Sequence, residues 1–97
     1  MNAPDLHRSI LRHHVAAVEA EHPLKIVGLL PTGSVAHVSD PRAVNLLAEK
    51  RPGLDLLGLA EAEVRLGDLL GRPVGIVLAS GLQGEEARSF PVLADPL

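Results

Sequence analysis

Two short apolar runs, Leu24 to Leu30 and Ala43 to Glu49, flank the turn residues Pro31-Thr32-Gly33-Ser34. Both fall short of the roughly 10–12 residues a helix needs, so each reads as a buried strand, and the chain must turn between them. A third run, Val74 to Leu78, has the same character. Between the second and third, Leu54 to Leu70 changes period: Leu59, Ala62, Leu66 and Leu69 recur at three- and four-residue spacings, as on one face of a helix. Lys50-Arg51-Pro52-Gly53 makes the turn into that helix, and Glu61 and Arg65, four apart, are expected to pair on its surface. Its end is marked twice. Gly71 suits the left-handed closing residue, and Pro73 stands where the helix cannot continue.

Upstream, Leu6, Ile10, Leu11, Val15 and Val18 give an amphipathic helix from Asp5 to about Glu21. Asp5 can cap it, and His22-Pro23 ends it, because the residue before a proline is pushed out of the helical region. Val35 to Val38 are compatible with the start of a short helix, and Ser39-Asp40-Pro41 marks a break. The stretch after Leu78, with Gly81, Gly84, Pro91 and Pro96, reads as loop or a short terminal helix. The order helix, strand, turn, strand, long helix, strand describes a small α/β domain with a three- or four-stranded sheet. At 97 residues, positions 1–97 are expected to form a single domain.

Composition narrows the function classes. No segment approaches the roughly 20 uninterrupted apolar residues of a membrane span. The first residues lack the basic-then-apolar layout of a secretory signal, so a cytoplasmic location is expected. There is no cysteine, hence no disulfide, thiolate metal site or cysteine nucleophile. A net charge of −3 argues against a broad phosphate-binding surface, and Phe90, the single aromatic ring, gives no stacking platform for bases. No direct nucleic-acid binding is expected.

Several constellations have plainer readings than chemical ones. Adjacent His13 and His14 diverge by about 100° on a helix and cannot easily share an ion. His7 and His14 lack the four-residue pairing and acidic partner of helical zinc sites. Ser34 with His37 has neither an orienting acid nor an oxyanion site. Gly81-Leu82-Gln83-Gly84-Glu85-Glu86 lacks the lysine and Ser/Thr of a phosphate loop, and its two acids would repel phosphate, so it reads as a solvated loop. Leu56, Leu57, Leu59 and Leu66 read as core rather than as a zipper, with apolar residues on more than one side of the helix leaving room for a subunit contact.

In order and spacing, the chain resembles the minimal nucleotidyltransferases, small proteins often paired with a helical HEPN partner as antitoxin and toxin. Family members read as an opening helix, an apolar strand, a G-S-x-A-R-G turn, a D-x-D-L-L-V-E strand, a Pro-Gly turn, a long leucine-rich helix and G-R-x-V-D on the last strand. Here these stand as Gly33-Ser34-Val35-Ala36-His37, Asn45-Leu46-Leu47-Ala48-Glu49, Pro52-Gly53 and Gly71-Arg72-Pro73-Val74-Gly75. The resemblance implies a polymerase-beta palm-like domain with a mixed sheet flanked by helices. It also implies Mg2+ and a nucleoside triphosphate, because nucleotidyl transfer uses two metal ions about 4 Å apart, caged by carboxylates.

This sequence departs from the pattern where the chemistry lies. Aligned on Leu-Leu-x-Glu and Pro-Gly, the family's paired aspartates fall on Ala43 and Asn45 and the third on Gly75. Counting from Gly33-Ser34 instead puts the pair on Asn45 and Leu47, which also lacks acids. Asp40 is the only carboxylate between the Gly-Ser turn and the second strand, and one loop aspartate does not replace a strand-borne pair. His37 stands in place of the arginine and Val38 in place of the second glycine, so Gly33 and Ser34 remain as a nucleotide-binding remnant or as a purely structural turn. The reading that follows is a catalytically degenerate domain, without metal or nucleotide, that acts through a HEPN-type partner or another copy of itself. The alternatives are a divergent active nucleotidyltransferase that modifies a protein and a purely structural oligomerisation module. Apolar residues of the Leu54–Leu70 helix, together with Val15 and Val18, are expected to exceed what one face can bury and so to form an interface.

Overall fold

Leu24–Leu30 forms strand β1 over the residues that the apolar run marks, and Val74–Leu78 likewise forms β3. The second strand, β2, spans Val44–Lys50, one residue later than its apolar run. The computed structural model describes residues 8–31, 33–35 and 40–97. The Asp5 cap, His7 and Ala36 to Ser39 lie outside them. The first helix, α1, covers Arg8–Glu21, and the long helix, α2, covers Leu56–Leu70. Helix α2 starts two residues later than its pattern because Asp55, in extended conformation, caps it: its carboxylate accepts from the Gly58 N–H at 2.7 Å. A side-chain acceptor there satisfies a donor that no preceding turn can reach. At the other end Gly71 adopts φ 69°, and its N–H donates to the Gly67 carbonyl at 2.8 Å. The closure is the one that Gly71 and Pro73 foretell.

Among the described residues the sheet has four strands in the order β3-β2-β1-β4, with β4 at Asp95–Pro96. Strands β1 and β2 are antiparallel, β2 and β3 parallel. A parallel pair needs a crossover, and α2 supplies it. On one face α1 and α2 bury Leu11, Val15, Val18, Ala62 and Leu66 against Leu24, Ile26, Val44, Leu46, Ala48 and Ile76. On the other, Phe90 packs with Leu30 and Leu47. A bulge between Ile26 and Gly28 reverses the alternation of β1, so that Leu29 opposes Leu46 and Leu30 opposes Asn45. The bulge thereby puts Leu29 with the α1 and α2 core and Leu30 with Phe90 on the second face.

The stretch after Leu78, open between loop and a short terminal helix, holds a helix, α3 (Gly84–Leu93), whose Phe90 anchors it to the sheet, followed by β4. Other expectations need correction. Gly81 to Glu86 is largely exposed, as a solvated stretch should be, but is not all loop: Ala79–Gly81 is a short 3-10 turn, and Gly84 to Glu86 open α3. Arg65 reaches Glu21 on α1 at 3.4 Å rather than Glu61, because α1 and α2 lie side by side. Val15 and Val18 are buried and contribute nothing to an interface, while Leu56 and Leu57, read as core, are 84% and 68% exposed. The apolar surplus is real, but it sits on α2 alone among the residues named for it.

Candidate functional site

Pro31, Gly33 and Ser34 make a tight turn at the end of β1. The Ser34 N–H donates to the Pro31 carbonyl at 3.2 Å, and Gly33 has φ 89°. A left-handed third residue is what a type II turn demands, and glycine takes it without steric cost. A β-carbon built on Gly33 meets nothing within 4 Å, so backbone angle rather than close approach requires glycine there. The Ser34 hydroxyl also turns inward, donating to the same Pro31 carbonyl at 2.6 Å. Both donors that Ser34 could offer a phosphate are engaged in the turn.

Asn45 meets this turn from β2. It is 1% exposed, and its amide Nδ2 donates to the Pro31 carbonyl at 3.2 Å. One carbonyl thus collects three donors and fastens the turn to the sheet. The other end of the Asn45 amide, Oδ1, is buried without a hydrogen-bond partner, an arrangement that costs free energy and is uncommon in native cores. Across the parallel ladder Asn45 lies opposite Gly75, and Ala43, buried, stands just before β2 begins. The structure therefore brings Asn45 and Gly75 side by side at the end of the sheet where the Gly-Ser turn lies, with Ala43 two residues upstream.

Asp40 serves its own loop. Its Oδ1 accepts from the Arg42 N–H at 2.8 Å, and its carbonyl accepts from the Ala43 N–H at 2.9 Å. The Arg72 Nε–H donates to the Arg42 carbonyl at 2.9 Å and so ties this loop to the end of α2. A pair of divalent cations does not fit these residues. Ala43 and Gly75 supply no side-chain ligand and Asn45 a single neutral oxygen, whereas hard cations take clustered, charged oxygens. Among the described residues no group of three or more His, Cys, Asp and Glu is placed to hold a metal ion. The His13 and His14 rings sit edge to face with centroids 5.5 Å apart, and His37 lies outside the described residues.

Two glutamates that sequence reading passed over matter to the sheet. Glu19 of α1 accepts from the Ile26 N–H, and Glu63 of α2 accepts from the Ile76 N–H, each at 2.7 Å. Strand β3 is an edge strand, and β4 pairs only with Gly28 and Leu29 of β1, so both N–H groups lie where strand pairing stops. Nothing in the spacing of Glu19 or Glu63 distinguishes them from ordinary surface acids of a helix; only the packing of helix on sheet does.

A mixed four-stranded sheet with a crossover helix, a Gly-Ser turn after its first strand and the Asn45–Gly75 junction beside that turn define a minimal-nucleotidyltransferase-like α/β domain. In agreement, the chain is similar to a solved structure of a protein provisionally named a minimal nucleotidyltransferase. The two are 28% identical, the match covers 92% of this chain and 94% of that one, and the TM-score is 0.67. No family model and no curated protein matches the chain. Among the described residues no helix is long and apolar enough to cross a membrane.

Proposed function

We propose that this domain acts by protein association rather than by nucleotide transfer, as the antitoxin-like partner of a HEPN-type toxin. The observation that carries the first half is the Asn45–Gly75 junction. Transfer of a nucleotidyl group needs carboxylates on facing strands to hold its metal ions, and here the two neighbouring positions are a neutral amide and a glycine. The inward-turned Ser34 agrees with this, since its donors hold the turn instead of a phosphate. The HEPN partner follows from the likeness to minimal nucleotidyltransferases, and the exposed leucines of α2 give such a partner something to bind.

Two measurements test the proposal. Incubation with labelled ATP, CTP, GTP or UTP and Mg2+ or Mn2+, with and without candidate partners, should leave no label on protein or RNA above background. Metal-dependent labelling that scales with the amount of this protein would overturn the non-enzymatic reading. Co-expression with the product of a neighbouring HEPN gene should yield a stable complex; separate elution of the two on size exclusion would overturn the partner assignment.

A further inference from the structure

The outer face of α2 carries an apolar stripe with an acidic border. Leu57 and Val64 are 68% and 64% exposed, Ala60 between them is exposed, and the three lie on one face at helical spacing. Glu61 and Asp68, two turns apart, run along one side of the stripe and are exposed as well. Together with Arg65, these residues line one shallow apolar depression along the helix. Arg65, the basic residue of this helix, has its guanidinium 3.4 Å from Glu21, so its charge is turned toward α1. What the stripe presents to a partner is therefore apolar in the middle and negative along one edge, with half-exposed Arg65 beyond that edge.

This charge pattern decides between occupants. A second copy of the chain fits poorly. The midpoint of Leu57 and Val64 falls between Ala60 and Glu61, so a two-fold antiparallel pairing on those residues sets Glu61 near its own symmetry mate. A parallel two-fold pairing sets Asp68 of one copy beside Glu63 of the other. Like charges brought together at an interface select against that partner. An amphipathic helix with Lys or Arg along one side of a leucine stripe satisfies the apolar centre and the acidic edge at once. We infer that the Leu57–Val64 face of α2 is the docking surface for a basic amphipathic helix of a partner protein. The inference rests on the association reading above and specifies its surface and the chemistry of its partner.

The test uses the full chain and two synthetic helices with the same leucine stripe, one flanked by lysines and one by glutamates, followed by fluorescence anisotropy. The lysine-flanked helix should bind, and the glutamate-flanked one should bind at least about tenfold more weakly. Leu57→Ser with Val64→Ser should weaken the lysine-flanked helix by about tenfold or more, and Glu61→Lys with Asp68→Lys should reverse the preference between the two. All four positions are exposed, so these variants keep the fold, which circular dichroism checks. Failure of the lysine-flanked helix to bind, equal binding of both helices, or indifference to the substitutions would overturn the proposal. So would dimerisation of the isolated protein, seen by sedimentation, that Leu57→Ser abolishes. None of these outcomes bears on the nucleotide-labelling test, and labelling would not bear on them.

Discussion

Asn45 lies opposite Gly75 in the parallel register of β2 and β3, and its amide reaches back to the Pro31 carbonyl at 3.2 Å. A buried strand amide is thus used to join a turn to the sheet. Because the Pro31 carbonyl also takes both donors of Ser34, the turn, the strand and the serine form one hydrogen-bonded unit.

That unit predicts an order among substitutions at Asn45. Asn45→Ala removes one donor from a carbonyl that keeps two, and removes the unpartnered Oδ1 as well, so it should cost about 1 kcal/mol. Asn45→Asp at neutral pH places a buried carboxylate against a carbonyl and should cost several kcal/mol. At pH 4 the penalty should shrink, because the neutral carboxyl can donate to Pro31 as the amide does. Urea unfolding at the two pH values measures both, and equal stability of the Ala and Asp variants at pH 7 would contradict the buried geometry.

Introducing acids tests the register directly. With Ala43→Asp, Asn45→Asp and Gly75→Asp combined, Mn2+ or Mg2+ should raise the melting temperature and calorimetry should detect binding, while the native chain responds to neither. At a metal concentration of 100 times the Kd, linkage gives about 2.7 kcal/mol. A triple variant without a metal response would mean that these three positions do not form one site.

Glu63 guards the free edge of β3 by accepting the Ile76 N–H. Glu63→Ala should cost about 1.5–3 kcal/mol, the range for a hydrogen bond to a charged group. It should also raise self-association, since an unpaired edge strand is a template for another chain. Light scattering over a concentration series reads the second effect, and a variant as monodisperse as the parent would remove the guarding role.

Gly28 admits β4. A β-carbon there would lie 2.8 Å from the Ala94 Cβ and 3.1 Å from the Asp95 carbonyl oxygen. Gly28→Val should therefore release Asp95–Pro96 from β1 and break the contacts of Arg8 with Asp95 and the Pro96 carbonyl. Amide exchange should speed up in β4 and stay slow at Leu46 and Ile76; unchanged protection at Asp95 would refute the close approach.

Much of the frame was legible because local rules and global packing agree. Apolar runs too short for helices became β1, β2 and β3, and the α2 stop at Gly71 follows from backbone conformation alone. Readings failed where a residue's role depends on what lies across space. Loop and short helix stayed open after Leu78, because the contact of Phe90 with Leu30 and Leu47 that holds α3 in place is made across space. Arg65 chose Glu21 over Glu61 because α1 lies alongside. Leu56 and Leu57 look like core in any list of leucines, and only the docking of α2 through Ala62 and Leu66 turns them outward.

The same division holds at the candidate site. By itself the sequence determined that Ala43, Asn45 and Gly75 bring no carboxylate, because that is a matter of residue identity. It also determined that Gly33 would turn the chain, because φ near 90° is open to glycine and strained for other residues. Tertiary structure alone decided that Asn45 and Gly75 are neighbours, since their approach rests on a parallel pairing of strands some thirty residues apart. It alone decided that Asn45 and Ser34 share one carbonyl. Hydrogen bonds of that kind are fixed by the packing of a whole sheet, and no local pattern encodes them.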